Sequence, residues 1–335
     1  MINLRKIHKV LVGGQYMILL YIALAFLGRI FAGITFQEYI PWVVFVMQTG
    51  IAILLLYVNY ECKIIIKKTV LPAAFFLLAT AFNPDLYNDV TGCIVALIFI
   101  VCLILTLRSY HNDKSQTASF YVALIFTAGS VFCWTPFLFF IPLFWIGFYW
   151  LRAFNRKSFL ASLIGIFTVY LFLTAWCLYL NDWDLLEANF LSIGNFFEVR
   201  WIELPWIDWL LFVAVVALLV VVAIKIFVSG FSEKVRTSLI FQFFYFITIA
   251  LFILSCLFFS EMYHVLLIFD MIISYVIGYY FATSENNKWA TYLLLFTILS
   301  FIIVYMLRID IFFDYDALIA RNISLFPGGP GILSV

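Results

Sequence analysis

The sequence predicts an all-α integral membrane protein: about eleven transmembrane helices in a single domain, N-terminus cytoplasmic and C-terminus on the outer side. Three observations predict it. Of the 335 residues, 66% are hydrophobic and 11% charged, with a mean hydropathy of +1.13, against roughly 45–50% apolar and about 25% charged in soluble domains. The apolar residues gather into stretches near the length a bilayer demands, ~20 residues for a helix crossing about 30 Å of hydrocarbon. Basic and acidic residues then fall on opposite sides of those stretches.

Read in order, the spans are expected at 10–34, 40–60, 69–83, 90–107, 118–133, 137–151, 159–180, 207–228, 237–259, 264–283 and 289–307. The basic leader MINLRKIHK runs into an apolar stretch longer than a signal-peptide core and without a clear small-residue cleavage site, which predicts a retained first span. The third, fifth and sixth are short. Arg108 and Lys114 precede the fifth, and Arg152, Arg156 and Lys157 follow the sixth, so an even number of crossings must separate these two basic flanks if both are cytoplasmic. Two short helices meeting near Trp134, Thr135 and Pro136 satisfy that, and Pro136 suits a turn or a first helical position because it has no amide hydrogen to donate.

With this arrangement 15 of the 19 basic residues lie at cytoplasmic ends and loops, while 13 of the 18 acids lie outside. Cytoplasmic loops of membrane proteins carry such an excess of Lys and Arg. Two charges fall inside spans: Arg29 in the first and Asp270 in the tenth. At 1.5 Å per residue each lies roughly 8–9 Å below the outer end of its helix. A carboxylate at such depth costs about 2.5–3.5 kcal/mol on insertion scales, so an intramembrane ion pair between Arg29 and Asp270 is expected. The competing expectations are that Arg29 snorkels outward and that Asp270 is protonated and hydrogen-bonded to a neighbouring helix.

Residues 181–208 alternate Trp183, Trp201 and Trp206 with acids, and Asp184 with Glu187 resembles a helix start, so an outer interfacial loop or helix is expected there. Residues 308–335 form an outer tail ending in Gly/Pro turns, whose Asp310, Asp314 and Asp316 match no calcium-loop spacing.

Candidate chemistry is sparse. Neither GxxxxGK[ST], GxGxxG nor GxSxG occurs, so nucleotide-driven and common hydrolase scaffolds find no support. Three histidines, with His8 and His111 in cytoplasmic segments, do not provide a paired intramembrane haem site. Glu261 and His264 share a helical spacing but make only two ligands, and the six cysteines include no CxxC, so neither metal nor cofactor is expected. A net charge of +1 without a basic stripe argues against nucleic acid. The expected partners are membrane lipids and envelope proteins. Glycosyl transfer from a lipid-linked donor would want an outward-facing carboxylate as base or metal ligand; Glu38, Asp85 and Asp89 are the weak catalytic candidates, Asp85 and Asp89 lying in a loop, NPDLYNDVTG, that reads first as an ordinary outer turn.

The stretches GSVFCWTPFLFFIPLFWIGFYWLRAFNRKSFLASLIGIF (129–167) and HVLLIFDMIISYVIGYYFATSENNKW (264–289) resemble, in their order of features, an uncharacterised family of polytopic inner-membrane proteins of Bacteroidota, a domain of unknown function. That resemblance implies residence in the inner membrane and carries over no catalytic residue. Asp270 departs from it, standing where an apolar residue or proline is expected. The leading functional expectation is a non-catalytic or accessory subunit of cell-envelope assembly. The alternatives are a lipid-linked-sugar glycosyltransferase-like enzyme, and a secondary transporter or flippase using Asp270.

Overall fold

The structure is a computed structural model, describing residues 17–36, 42–65, 69–83, 86–110, 115–195, 220, 235–257, 262–284, 289–303 and 305–306. Among these residues the chain is helical and contains no strand. The helices are α1 (Met17–Phe36), α2 (Trp42–Cys62), α3 (Leu71–Ala81), α4 (Val90–Arg108), α5 (Ser115–Phe132), α6 (Phe137–Trp150), α7 (Arg156–Leu180), α8 (Asp184–Asn195), α9 (Val235–Leu257), α10 (Met262–Thr283) and α11 (Trp289–Ile303). Helices are what lipid permits, because each backbone N–H and C=O is satisfied within its own segment. Five are long and apolar enough to cross a membrane, namely α2, α4, α7, α9 and α10, and four shorter apolar helical stretches lie in α1, α3, α6 and α11. Each expected span except 207–228 overlaps a helix; that stretch, save Val220, lies outside the described residues, as do Trp201, Trp206 and the tail 308–335.

The third span differs from expectation in length. Pro72, which has no amide to donate, sits in the first turn of α3, and the helix ends where Phe82 N–H bonds Leu78 O. The eleven residues left reach about 16 Å, half of the hydrocarbon thickness. Lipid contact is not what stabilises α3: ten of its residues, Leu71 to Leu78, Thr80 and Ala81, are buried, with α1, α2 and α10 packed around them.

The fifth and sixth elements are two helices joined by a turn. Cys133 N–H and Trp134 N–H both donate to Gly129 O, at 2.9 and 2.8 Å, and Phe137 N–H donates to Trp134 O at 3.1 Å. α5 and α7 run side by side in the same direction: Ser119 Oγ donates to Ser158 O at 2.8 Å near their starts, and Asn189, in α8 beyond the end of α7, donates to Ser130 O at 3.2 Å near the end of α5. Their approach needs Gly165, since a Cβ there would stand 2.6 Å from Phe120 O. α6 therefore carries the chain back between two helices that point the same way. Asn155 starts α7 by accepting from Ser158 N–H at 2.7 Å, while Ser158 Oγ accepts from Asn155 N–H at 2.8 Å, a reciprocal capping box.

Phenylalanine rings make the interior where α4, α5 and α6 meet: Phe126 lies 4.9 Å from Phe144 and 5.6 Å from Phe137, and Phe99 lies 5.4 Å from both Phe140 and Phe144. Lipid tails are as apolar as these rings, so burial by itself drives little association here. Close packing and ring geometry, worth about 0.5–1.5 kcal/mol per pair, carry it instead.

The charged side chains divide between the two ends of this bundle. Arg108, at the end of α4, pairs with Glu61 at 3.0 Å, and Arg236, at the start of α9, stands over the Tyr110 ring at 5.3 Å. The opposite end holds Asp89 before α4, Trp134 after α5 and His264 near the start of α10.

Candidate functional site

The described polar side chains that converge most closely lie at that second end. Asp89 caps α4: its Oδ1 accepts from Gly92 N–H at 2.7 Å. A Cβ at 92 would come within 1.9 Å of the Asp89 carboxylate and push it from this capping position. The same carboxylate holds His264 Nδ1 at 2.9 Å, across 175 residues of chain, and the edge of the Trp134 ring system meets the imidazole at 6.0 Å between centroids. With Asp89 as acceptor, Nδ1 carries the proton and Nε2 is left as the basic nitrogen. The His264 side chain is 24% exposed and that of Asp89 8%.

A second group adjoins the first. Arg29 of α1 is 1% exposed; its Nη2 donates to Gln48 Oε1 of α2, and its guanidinium stands 4.4 Å from the Tyr87 ring centroid and 5.3 Å from that of Phe45. Gln48 Nε2 in turn donates to Leu86 O at 3.1 Å, holding the segment that leads to Asp89. Cys93, one turn into α4, is buried. Burial pushes the Tyr87 phenol well above its ordinary range, so it remains protonated and donates to Ala81 O. Tyr305 Oη donates to Gly28 O at 2.5 Å and closes the cluster against α1.

The expected ion pair between Arg29 and Asp270 is not formed. Arg29 faces Gln48 and two rings, and Asp270 is half-buried, with no hydrogen bond or ion pair among the described residues. Equal depth in two helices does not fix which way either side chain points, and depth was all that the sequence supplied. Arg29 does not snorkel either, being fully buried. Of the three candidate carboxylates, Glu38 and Asp85 lie outside the described residues, as does Glu261, and only Asp89 is in the cluster. The partnership of Asp89 with His264, and the roles of Gln48 and Tyr87, were missed. One signal was available for the cap, an Asp three residues before a Gly at the start of an apolar run. None was available for contacts across 175 residues.

Asn189 gives the expected outer segment a fixed position. It is buried, donates to Ser130 O and accepts from Tyr170 Oη at 3.3 Å, while Phe190 stacks on Tyr170 at 5.7 Å, so α8 lies against α5 and α7. Asp182 Oδ1 accepts from Asp184 N–H at 3.0 Å and begins the helix. Compared with protein-family models, with curated proteins and with solved structures, the chain matches none of them.

Proposed function

We propose that this chain is a multi-pass protein of the inner (cytoplasmic) membrane, with about eleven spans and its basic end in the cytoplasm, working as a non-catalytic, accessory subunit of cell-envelope assembly. The resemblance to polytopic inner-membrane proteins of Bacteroidota belongs to the same proposal. One observation supports the reading most: Asp89, the candidate carboxylate in the cluster, is spent on structure, accepting from Gly92 N–H and holding His264. Its neighbours are used alike. Gln48 to Leu86 O, Tyr305 to Gly28 O and Tyr275 to Leu55 O each tie one segment to another, which is how polar side chains fasten helices in lipid. Purification from native membranes in mild detergent tests it. Envelope proteins should co-elute in fixed ratio; a monomer retaining a lipid-linked sugar would contradict the subunit reading.

That contrary result would favour the glycosyltransferase-like reading, for which His264 supplies a specific observation. Carboxylate-held at Nδ1 and partly exposed, it has the arrangement of a general base acting through Nε2. In that case Asp89→Asn and His264→Gln would fold normally and abolish transfer, whereas an accessory subunit would keep its partners in both variants.

A further inference from the structure

Asp270 is a carboxylate set well inside a helix long enough to span a membrane. It stands eight residues into α10 from Met262, roughly 12 Å along the axis. No hydrogen bond or ion pair reaches it among the described residues, yet the group is not sealed in: the buried side-chain atoms left without a partner belong to Arg29, Thr49, Ser130 and Arg236, and Asp270 is half-buried with its oxygens open to the surface of the bundle. Leu266, Phe269 and Tyr280 are half-buried with it. Together with Ile273 and Ile277 they repeat at three- and four-residue spacing, so they form one stripe down α10, roughly 21 Å long. The other sides of α10 pack against α3, α4 and α9.

We propose that this stripe docks a membrane-spanning helix of a partner protein, one that carries a lysine or arginine beside Asp270. The proposal rests on the accessory-subunit reading and names what such a subunit would grip. Charge complementarity selects this occupant over four others. Acyl chains offer a carboxylate no donor. A water path would want polar neighbours, and the stripe supplies only the Tyr280 phenol, ten residues away. A second copy meeting this face about a two-fold axis would set Asp270 against Asp270, like charge on like. Residues 207–228 of the same chain lie outside the described residues; from 210 to 224 they read LLFVAVVALLVVVAI and hold no side-chain donor. The chain's own intramembrane cation, Arg29, is buried against Gln48. A cation on a partner helix is itself costly in lipid, so pairing removes two penalties at once, and Leu266, Phe269 and Ile273 around the carboxylate keep water from the pair.

The test places the photoreactive residue p-benzoylphenylalanine at Phe269, beside Asp270 on the stripe, in the full-length chain in its native membranes, and identifies the captured segment by mass spectrometry. An apolar span of another protein should be captured, with a lysine or arginine within about one helical turn of the attachment point. Asp270→Asn should reduce that adduct by about tenfold or more, and Asp270→Glu should keep it, while the unfolding midpoint of neither variant, purified alone, falls. Should Asp270→Asn fail to fold, Asp270→Leu, which completes an apolar stripe, takes its place with the same loss expected. Capture of lipid alone, of a second copy, of residues 207–228 of the same chain, or of a span without a basic residue overturns the proposal, as does an adduct that Asp270→Asn leaves unchanged. Co-elution in mild detergent separates the two failures: envelope proteins that co-elute without being captured at Phe269 remove only the docking face, whereas the absence of any co-eluting protein removes the subunit reading as well.

Discussion

Asp89 does two jobs at one position, and substitutions separate them. Asparagine at 89 still accepts from Gly92 N–H and still presents an oxygen to His264, whereas alanine loses both. Asp89→Ala should lower stability by about 2 kcal/mol, the sum of a lost cap and an imidazole left without its acceptor, and Asp89→Asn by well under half of that. Thermal unfolding in detergent measures both; equal losses would show that the charge itself is what matters. A second prediction concerns the two intramembrane charges. Because Arg29 and Asp270 share no partner, their substitutions should add: Arg29→Met with Asp270→Asn should change stability by the sum of the single changes to within about 0.5 kcal/mol. A coupling above about 1 kcal/mol would restore the ion pair that depth alone suggested. Both charges were legible as exceptions to an apolar pattern. Their surroundings were not, because a residue's height on a helix follows from counting, while its bearing toward Gln48 or Tyr87 follows from how helices rotate and pack.

At the scale of elements, helix positions were legible because an apolar run bounded by charge or proline has few other structures in lipid. Asn155 with Ser158, Pro72 and the turn at Cys133 to Pro136 are signals of that local kind. The direction of α7 relative to α5, and the burial of all sides of α3, depend on packing and had no local signature. Gly165 is where α7 packs directly on the backbone of α5. Gly165→Val should push α7 away from Phe120 O and destabilise the protein by about 2–3 kcal/mol, the usual cost of overpacking a close contact, whereas Gly50→Ala, with open space around it, should be neutral or slightly stabilising. Unfolding midpoints of the two variants decide this, and similar behaviour would mean that the α5 and α7 contact is looser than described. α8 offers another check: Asn189→Leu removes the bonds to Ser130 and Tyr170, so proteolysis near residues 181–195 should accelerate while the rest of the bundle is unaffected.

Across the whole molecule, charged side chains gather at two ends of the bundle. Arg108, Glu61 and Arg236 gather at one end, with Arg152, Arg156 and Lys157 flanking the start of α7, and Asp89, Arg29 and His264 gather at the other. The sequence already divided these residues by the side of the membrane each should face. Among the described residues, Asp89 and Arg108 lie at opposite ends of α4, and α5 returns toward Trp134. The most direct test is therefore sidedness. In a variant lacking native cysteines, single cysteines at Asn88 and Asn155, both exposed and at opposite ends, are exposed in intact cells to a maleimide that does not cross the membrane. The cysteine at 88 should label in intact cells and the cysteine at 155 only after the membrane is opened; labelling of both from the same side would contradict the two-ended arrangement.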